Sequence, residues 1–256
     1  MKKMLVFALV GLMCLSLMAC GGGKHETMKI GFTYFEPMNY LDDQGKFVGF
    51  ETEFAEAVCK KLGYTPEFVE INWDSKTMEL ASGNIDCIWN GMTITPELSE
   101  ALSISDPYIK NYQVVVIRAD SGYASTADLA QKTVEAEAGS AGETAVAADE
   151  SLAQATYISV TKQTDALLEV KTGAADAAVM DYVLANALVG QGDYADLAIM
   201  AGVELSVEEY GIGFRKEDTK LTADVNKAMQ ELIDDGTLGA LADKYGLTDQ
   251  LLANQK

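Results

Sequence analysis

The sequence is poor in positive charge. Its 256 residues carry 39 acidic and 19 basic side chains, a formal net charge of −20, and only two of the bases are arginines. The composition excludes a nucleic-acid-binding protein, because phosphates are neutralised by clustered lysine and arginine. It also argues against an electrostatic attachment to anionic lipid.

Histidine is scarcer still. The one histidine, His25, lies in a short Gly-rich run near the N-terminus. Catalysis or metal binding that needs two imidazoles is therefore excluded, and we expect neither a metal nor a cofactor. Hydrophobic residues make up 48% of the chain and charged residues 23%, which is the balance of a folded globular protein.

The N-terminus has the pattern of a secretion signal. Lys2 and Lys3 precede an apolar run over residues 4–18, which is too short to span a bilayer comfortably. We predict that residues 1–19 are a signal peptide.

The run ends in Leu-Met-Ala-Cys, which resembles the lipobox of bacterial lipoproteins. The resemblance implies lipid on Cys20, a chain that starts there, and attachment to the outer face of the cell membrane. The alternative is an ordinary secretory signal in which Cys20 is incidental. On the lipoprotein reading, we predict that residues 20–27 form a flexible tether.

Two cysteines remain for the folded part. Cys59 lies in a helical pattern and Cys87 in a strand pattern. A disulfide is feasible outside the cell, but we favour two buried free thiols because the sequence does not fix their geometry.

Short apolar strands alternate with helices along the rest of the chain. We predict strands at 28–32, 68–71, 85–89, 113–117, 133–137, 157–160 and 177–180. We predict helices at 54–62, 75–82, 141–148, 164–172, 222–234 and 238–245. This alternation is typical of an α/β protein with largely parallel sheets.

An internal echo indicates two lobes built alike. Residues 79–83 end in glycine and lead to Asp86 and a strand, and residues 169–173 lead in the same way to Asp176 and its strand. The alternative is a chance match between two common αβ turns.

Two segments are candidates for chain crossings between the lobes, residues 105–108 and 208–213. We predict lobe 1 over residues 28–111, lobe 2 over 112–208, and a return to lobe 1 over 209–256. Two crossings form a hinge, and a ligand would lie in the cleft where strand ends and helix N-termini converge.

Four motifs resemble the family 3 solute-binding proteins of ABC transporters, which bind polar amino acids. They are Gly-Phe-Glu-Thr-Glu-Phe at 49–54, Gly-Met-Thr-Ile-Thr-Pro-Glu at 91–97, Ser-Asp-Pro-Tyr at 105–108 and Tyr-Gly-Ile-Gly at 210–213. The resemblance covers nearly all of residues 28–250. It implies a type II periplasmic-binding-protein fold, two lobes joined by a two-strand hinge.

The resemblance implies four ligand-binding positions in lobe 1. Phe35 and Trp73 fall where the family keeps aromatics that pack on the ligand, worth roughly 0.5–2 kcal/mol for a cation. Thr93, beside the Gly91 carbonyl, falls where a hydroxyl and a backbone N–H contact the ligand. The alternatives are that the two aromatics are core residues and that Thr93 lies in a surface loop.

In lobe 2 the resemblance implies that Asp181, at the end of a strand, pairs with the ligand's ammonium group. The alternative is that Asp181 only caps the next helix. Ser140 and Ala141 lie in a Gly-Ser-Ala-Gly turn before a helix, where free N–H groups bind anions. By resemblance this turn holds the ligand's carboxylate.

Leu98 is the most informative departure. The family usually places an arginine there, which holds the ligand's carboxylate. The predicted cleft then contains Asp181, Glu137 near the anion-binding turn, and Lys76 as its one candidate cation. Three readings stay open: an amino acid held by N–H groups alone, a cationic amine or modified amino acid, or a copy that has lost tight binding.

We expect a monomeric binding protein, not an enzyme, that passes an amino acid or related amine to an ABC permease. One alternative is a dehydratase-like enzyme on the same scaffold, in which Glu137 would be the candidate acid or base. Another is a lipoprotein that senses a ligand without feeding a transporter.

Overall fold

The computed structural model describes residues 26–255. The signal peptide, Cys20, His25 and the first part of the tether lie outside that range. Thirteen strands are described: β1 (Glu26–Phe32), β2 (Tyr40–Leu41), β3 (Phe47–Val48), β4 (Tyr64–Glu70), β5 (Cys87–Ile88), β6 (Leu102–Ile104), β7 (Ile109–Arg118), β8 (Thr133–Glu137), β9 (Thr156–Val160), β10 (Ala177–Asp181), β11 (Leu197–Ile199), β12 (Ser206–Tyr210) and β13 (Gly213–Arg215).

Eight α-helices are described in the same range. They are α1 (Phe50–Leu62), α2 (Lys76–Ala81), α3 (Pro96–Ala101), α4 (Ala141–Ala148), α5 (Gln163–Thr172), α6 (Tyr182–Leu188), α7 (Thr219–Asp234) and α8 (Thr237–Lys244). None of the helices in residues 26–255 has the length and hydrophobicity that crossing a membrane would require.

The strands form two main sheets, one in each lobe. The first has the order β4-β1-β5-β13-β6, and the second β11-β7-β10-β8-β9 with β12 paired to β7. In each sheet three strands run parallel, β4-β1-β5 and β9-β8-β10, and the remaining strands join the sheet through antiparallel pairs. The architecture is a two-lobed mixed α/β fold, as the sequence predicts.

The echo between the two halves corresponds to one repeated piece of structure. Gly83 and Gly173 both adopt a left-handed φ of 78°. The Asp86 carboxylate then accepts the N–H of Lys29 at 2.9 Å, and that of Asp176 accepts the N–H of Thr133 at 3.0 Å. Each aspartate therefore ties its own strand to the neighbouring parallel strand, and both are structural.

The chain returns to the first lobe after β12. β13 lies between β5 and β6 of the first sheet. Helices α7 and α8 cover α1, where Lys61 pairs with Glu231 at 3.4 Å and Lys244 pairs with Glu53 at 2.6 Å. Strands β7 and β12, which pair antiparallel, lie where the two lobes meet.

The cysteines of the described part of the chain are both unpaired and buried, so free thiols were the correct expectation. Cys59 lies against Met28, with 3.8 Å between the two sulfur atoms. Burial raises the pKa of the Cys59 thiol to about 12. Trp89 is fully buried against Phe54 and belongs to the core.

Element bounds differ from the predictions in several places, and strands β2, β3, β6, β11, β12 and β13, each of two to five residues, were not predicted. β1 starts at Glu26, inside the predicted tether, because Glu26 and Thr27 pair with the first residues of β4. The strand predicted at 85–89 is reduced to β5, since the chain turns towards the cleft after Ile88. Helices α3 and α6 were not predicted, because each is a short segment of six or seven residues.

Candidate functional site

A cavity of about 400 Å³ lies between the lobes. All seven residues that the sequence analysis selects line it: Phe35, Trp73, Gly91, Thr93, Ser140, Ala141 and Asp181. The first four come from lobe 1 and the last three from lobe 2. Their roles in ligand binding stay predictions, but they form one site and not several.

A buried carboxylate shapes the lobe 1 wall. Both oxygens of Glu51 accept the N–H of Gly91, at 2.9 and 3.0 Å, and Oε1 also accepts the hydroxyl of Tyr108. Gly91 has a φ of 56°, and a Cβ there would collide with the ring of Phe35. Burial raises the pKa of Glu51 to about 7. The motif at 49–54 thus holds the backbone of the motif at 91–97 in place, through the bonds from Gly91 to Glu51.

The two aromatic residues differ in the contacts that their rings already make within the protein. Phe35 is buried against Gly91 and meets Tyr210 edge to face, with 6.4 Å between ring centroids. The ammonium of Lys76 lies 4.8 Å from the centroid of the Trp73 ring. Each ring lines the cavity, yet one face of Trp73 already carries a cation from the protein itself.

Asp181 accepts several side-chain hydrogen bonds within the site. Its side chain is 6% exposed, and Oδ1 accepts from Asn111 (2.6 Å), Gln113 (2.9 Å) and Tyr210 (2.8 Å). Oδ2 accepts only the amide of Gln163, so it keeps a lone pair for a donor from a ligand. Asp181 is the N-cap residue of α6 by position, but its side chain makes no capping bond.

A second carboxyl group lies beside Asp181. The amide nitrogens of Asn111 and Gln113 also donate to Glu208 Oε1, at 2.6 and 2.7 Å. Burial, and then the charge of Asp181, raise the pKa of Glu208, and burial raises the pKa of Asp181. The two acids therefore share the same amide donors, and their proximity makes it costly for both to be ionised at once.

A third acid, Glu137, lies on the cavity wall at the end of β8. It is 4% exposed, and Gln163 is hydrogen-bonded to both Glu137 and Asp181. Burial, and then Asp181, raise the pKa of Glu137 to about 8. At neutral pH the carboxyl group is thus largely protonated in the ligand-free protein.

Lys76 is the one basic residue among the described residues that line the cavity. Its ammonium donates to the carbonyl of Trp73 at 3.3 Å and, across the cleft, to that of Gly139 at 2.8 Å. Burial lowers the pKa of Lys76.

The turn before α4 is partly occupied by the protein's own groups. Glu143 Oε2 accepts the N–H of Gly139 at 2.8 Å, and the hydroxyl of Ser140 accepts the N–H of Glu143 at 3.2 Å. Ser140 is therefore a helix cap as well as a cavity residue. The anion-binding capacity expected of this turn is reduced by a carboxylate within its own helix.

The lobes also touch outside the cavity. Lys162 of lobe 2 pairs with Glu70 of lobe 1 at 2.8 Å, and its ammonium lies 5.2 Å from the ring centroid of Tyr34. A Cβ on Gly139 would come within 2.9 Å of the Asp74 Cα. The cleft is therefore closed in this structure.

Sequence reasoning missed several polar residues of the site. Asn90, Gln163 and Thr33 line the cavity, and Asn111 and Gln113 hold Asp181 from behind. The first three follow strand ends or begin a helix, so the rule that selected Asp181 would have found them. The last two lie inside β7, whose apolar run Val114–Ile117 predicts a core strand.

The chain matches the bacterial extracellular solute-binding proteins of family 3 over residues 28–248. It belongs to that family. The proteins of this family bind solutes. In this chain the candidate binding site is the cavity in the closed cleft between the two lobes.

Curated relatives match over most of their length. The arginine-binding extracellular protein ArtP of Bacillus subtilis is 31% identical over 96% of this chain and 98% of its own. The L-cystine-binding protein TcyJ of Escherichia coli K12 is 32% identical over 82% of this chain and 79% of its own.

A solved structure shows the same fold. A substrate-binding protein of an ABC uptake transporter from Streptococcus pneumoniae, with bound histidine, superposes with a TM-score of 0.78. It is 33% identical and covers 86% of this chain and 92% of its own.

Proposed function

We propose that this protein is the lipid-anchored solute-binding component of an ABC importer. It captures a polar or cationic amino acid, or a related amine, between its lobes and releases it unchanged. The observation that carries this proposal is Asp181, a buried carboxylate that keeps one open lone pair on the wall of a closed cleft.

Closure explains how such a site reaches useful affinity. Taking a charge out of water is costly unless a partner replaces the lost hydration. Asp181 provides that partner, and its position is fixed by donors from β7, β12 and α5. When the lobes part, the contacts of Lys76 and Lys162 across the cleft break and the ligand is exposed again.

The relatives support the choice of ligand. One relative is an arginine-binding protein, the other is an L-cystine-binding protein, and the solved structure contains bound histidine. Lipid on Cys20 would hold this protein at the outer face of the cell membrane, where a monomer could meet its permease.

A thermal-shift screen followed by calorimetry tests the proposal. The panel is the twenty amino acids, ornithine, agmatine, putrescine and cadaverine. A ligand at 100 times its Kd stabilises the native state by about 2.7 kcal/mol, which raises the melting temperature measurably.

Mass spectrometry of the recovered ligand separates a binding protein from an enzyme, because a binding protein returns it unchanged. A folded protein that none of these compounds stabilises would contradict the proposal, and so would turnover of the bound compound.

A further inference from the structure

The ionisable side chains that line the cavity are mostly acidic. Among the described residues that line it, four have acidic or basic side chains: Lys76, Glu97, Glu137 and Asp181. Glu97 is exposed at the rim, whereas the other three are at most 9% exposed. An ordinary amino acid would bring a carboxylate into this mostly acidic space, and a buried carboxylate needs a cation or several donors.

The cavity lacks a free fixed cation for that carboxylate. Leu98 lines the cavity at the position where the family resemblance leads one to expect arginine. Both arginines of the chain are engaged elsewhere, Arg118 with Asp120 at 2.9 Å and Arg215 with Asp86 at 3.1 Å.

Lys76 does not fill the gap. Two of its three ammonium protons are donated to backbone carbonyls, and the acidic side chains that interact with it are Glu137, Asp74 and Glu143. A ligand carboxylate that approached this ammonium would enter the field of all three acids.

The lobe 2 turn is a poor substitute for a cation. The N–H of Gly139 is already taken by Glu143, and that carboxylate lies within one helical turn of Ser140. A second carboxylate at the same helix start would be repelled by the first.

Two acids on the same wall, in contrast, lack a cationic partner. No salt bridge within residues 26–255 includes Glu137 or Asp181, and Gln163 bridges the two. Buried carboxyl groups of this kind are matched best by ammonium or guanidinium groups of a ligand.

We propose that the cleft selects an organic cation without a free carboxylate, and that Glu137 together with Leu98 sets this preference. The ligand class is amines and guanidines whose positive nitrogens lie against Glu137 and Asp181. The inference rests on the proposed function, which allows an amino acid or an amine, and narrows it to the second.

Matched pairs that differ only in the carboxylate provide the test. Calorimetry compares arginine with agmatine and lysine with cadaverine on the intact folded protein. We expect each decarboxylated compound to bind at least roughly tenfold more tightly, because the amino acid leaves its carboxylate without a partner.

Variants then assign the preference to residues. Leu98→Arg should reverse it, strengthening arginine and weakening agmatine. Met78→Arg adds the same charge on the exposed surface of α2, outside the cavity, and should leave the preference as it is. Glu137→Gln should weaken agmatine roughly tenfold while arginine binding is unchanged or improved.

The outcomes separate this inference from the function on which it rests. Arginine or lysine binding as tightly as its decarboxylated partner, or more tightly, would overturn the inference and leave a binding protein for amino acids. Absence of binding by all four compounds to a protein that melts cooperatively would overturn the inference, and the proposed function would fall with it only if the whole panel of amino acids and amines also failed to bind.

Discussion

The two lobes repeat one structural unit but end it differently. Asp86 in lobe 1 and Asp176 in lobe 2 make the same bond to a neighbouring strand. Five residues further on, lobe 1 has Gly91 and lobe 2 has Asp181. At equivalent places one lobe therefore presents backbone and the other a charge.

The two lobes also differ in where their buried acidic side chains lie relative to the cavity. In lobe 1 the carboxylate of Glu51 lies beneath the wall, where it accepts the N–H of Gly91. In lobe 2 Glu137 and Asp181 lie on the wall itself. Lobe 1 thus provides shape and aromatic surface, and lobe 2 provides the charge that a ligand meets when the cleft closes.

The largest expected effect comes from exchanging Asp181 for asparagine. Asp181→Asn keeps the volume but removes the charge, so affinity for a cationic ligand such as agmatine should fall by about 100-fold or more. Asp176→Asn is the matched control, since it lies outside the cavity. It should lower stability by about 1–2 kcal/mol and leave affinity within about twofold. Calorimetry and thermal melting measure both, and equal affinities in the two variants would contradict the division of roles.

A glycine substitution tests the lobe 1 wall. Gly91→Ala should cost about 1–3 kcal/mol of stability and weaken binding, because the new Cβ meets the Phe35 ring at a left-handed φ. Gly83→Ala has a similar φ with nothing within 4 Å, so only the backbone strain of about 1 kcal/mol is expected and binding should be unchanged. Denaturant unfolding compares the two, and equal losses would mean that the contact with Phe35 carries no weight.

The buried acids predict how stability changes with pH. The pKa of Glu51 is raised to about 7 and that of Glu137 to about 8, so between about pH 4.5 and 8 the native state binds more protons than the unfolded chain. Their contribution is complete at low pH and is lost as pH rises through 7–8. The groups facing Glu137 are Asp181, Asp165 and Lys76.

The ligand-free protein should therefore melt lower at pH 8.5 than at pH 6, by about 2–4 °C for each kcal/mol lost. Glu137→Gln should reduce that difference, because the amide does not titrate. Calorimetric scans at the two pH values check this, and a melting temperature that rises with pH would contradict the assignment.

The smallest expected effect concerns the contact between the lobes at the rim. Lys162→Met removes the ion pair with Glu70, which is partly exposed and worth about 0.2–1 kcal/mol. Affinity should fall by less than about fivefold. Lys220→Met removes an exposed pair within α7 and is the control, for which no change in affinity is expected. A tenfold loss in the first variant would mean that closure depends on this pair far more than its exposure indicates.

The sequence predicted the lobes better than the detail of the site. Apolar periodicity and the glycine stops located most strands and helices, and the family resemblance, together with the place of Asp181 at a strand end, located Asp181. Glu208 and Gln113 could not be found in this way, because they lie within strands and act through pairing across β7 that only the fold creates. The sequence also did not predict that the N–H of Gly139, in the turn at Ser140, is bonded to Glu143, because this depends on the side-chain conformation of Glu143.

A structure of the protein with agmatine bound tests the central claim most directly. We expect a positively charged nitrogen of the ligand within about 3 Å of Asp181 Oδ2, with Glu137 on the same side and lobe 1 contributing uncharged contacts. A ligand whose charged nitrogen faces lobe 1, or that lies outside the cavity between the lobes, would contradict the claim.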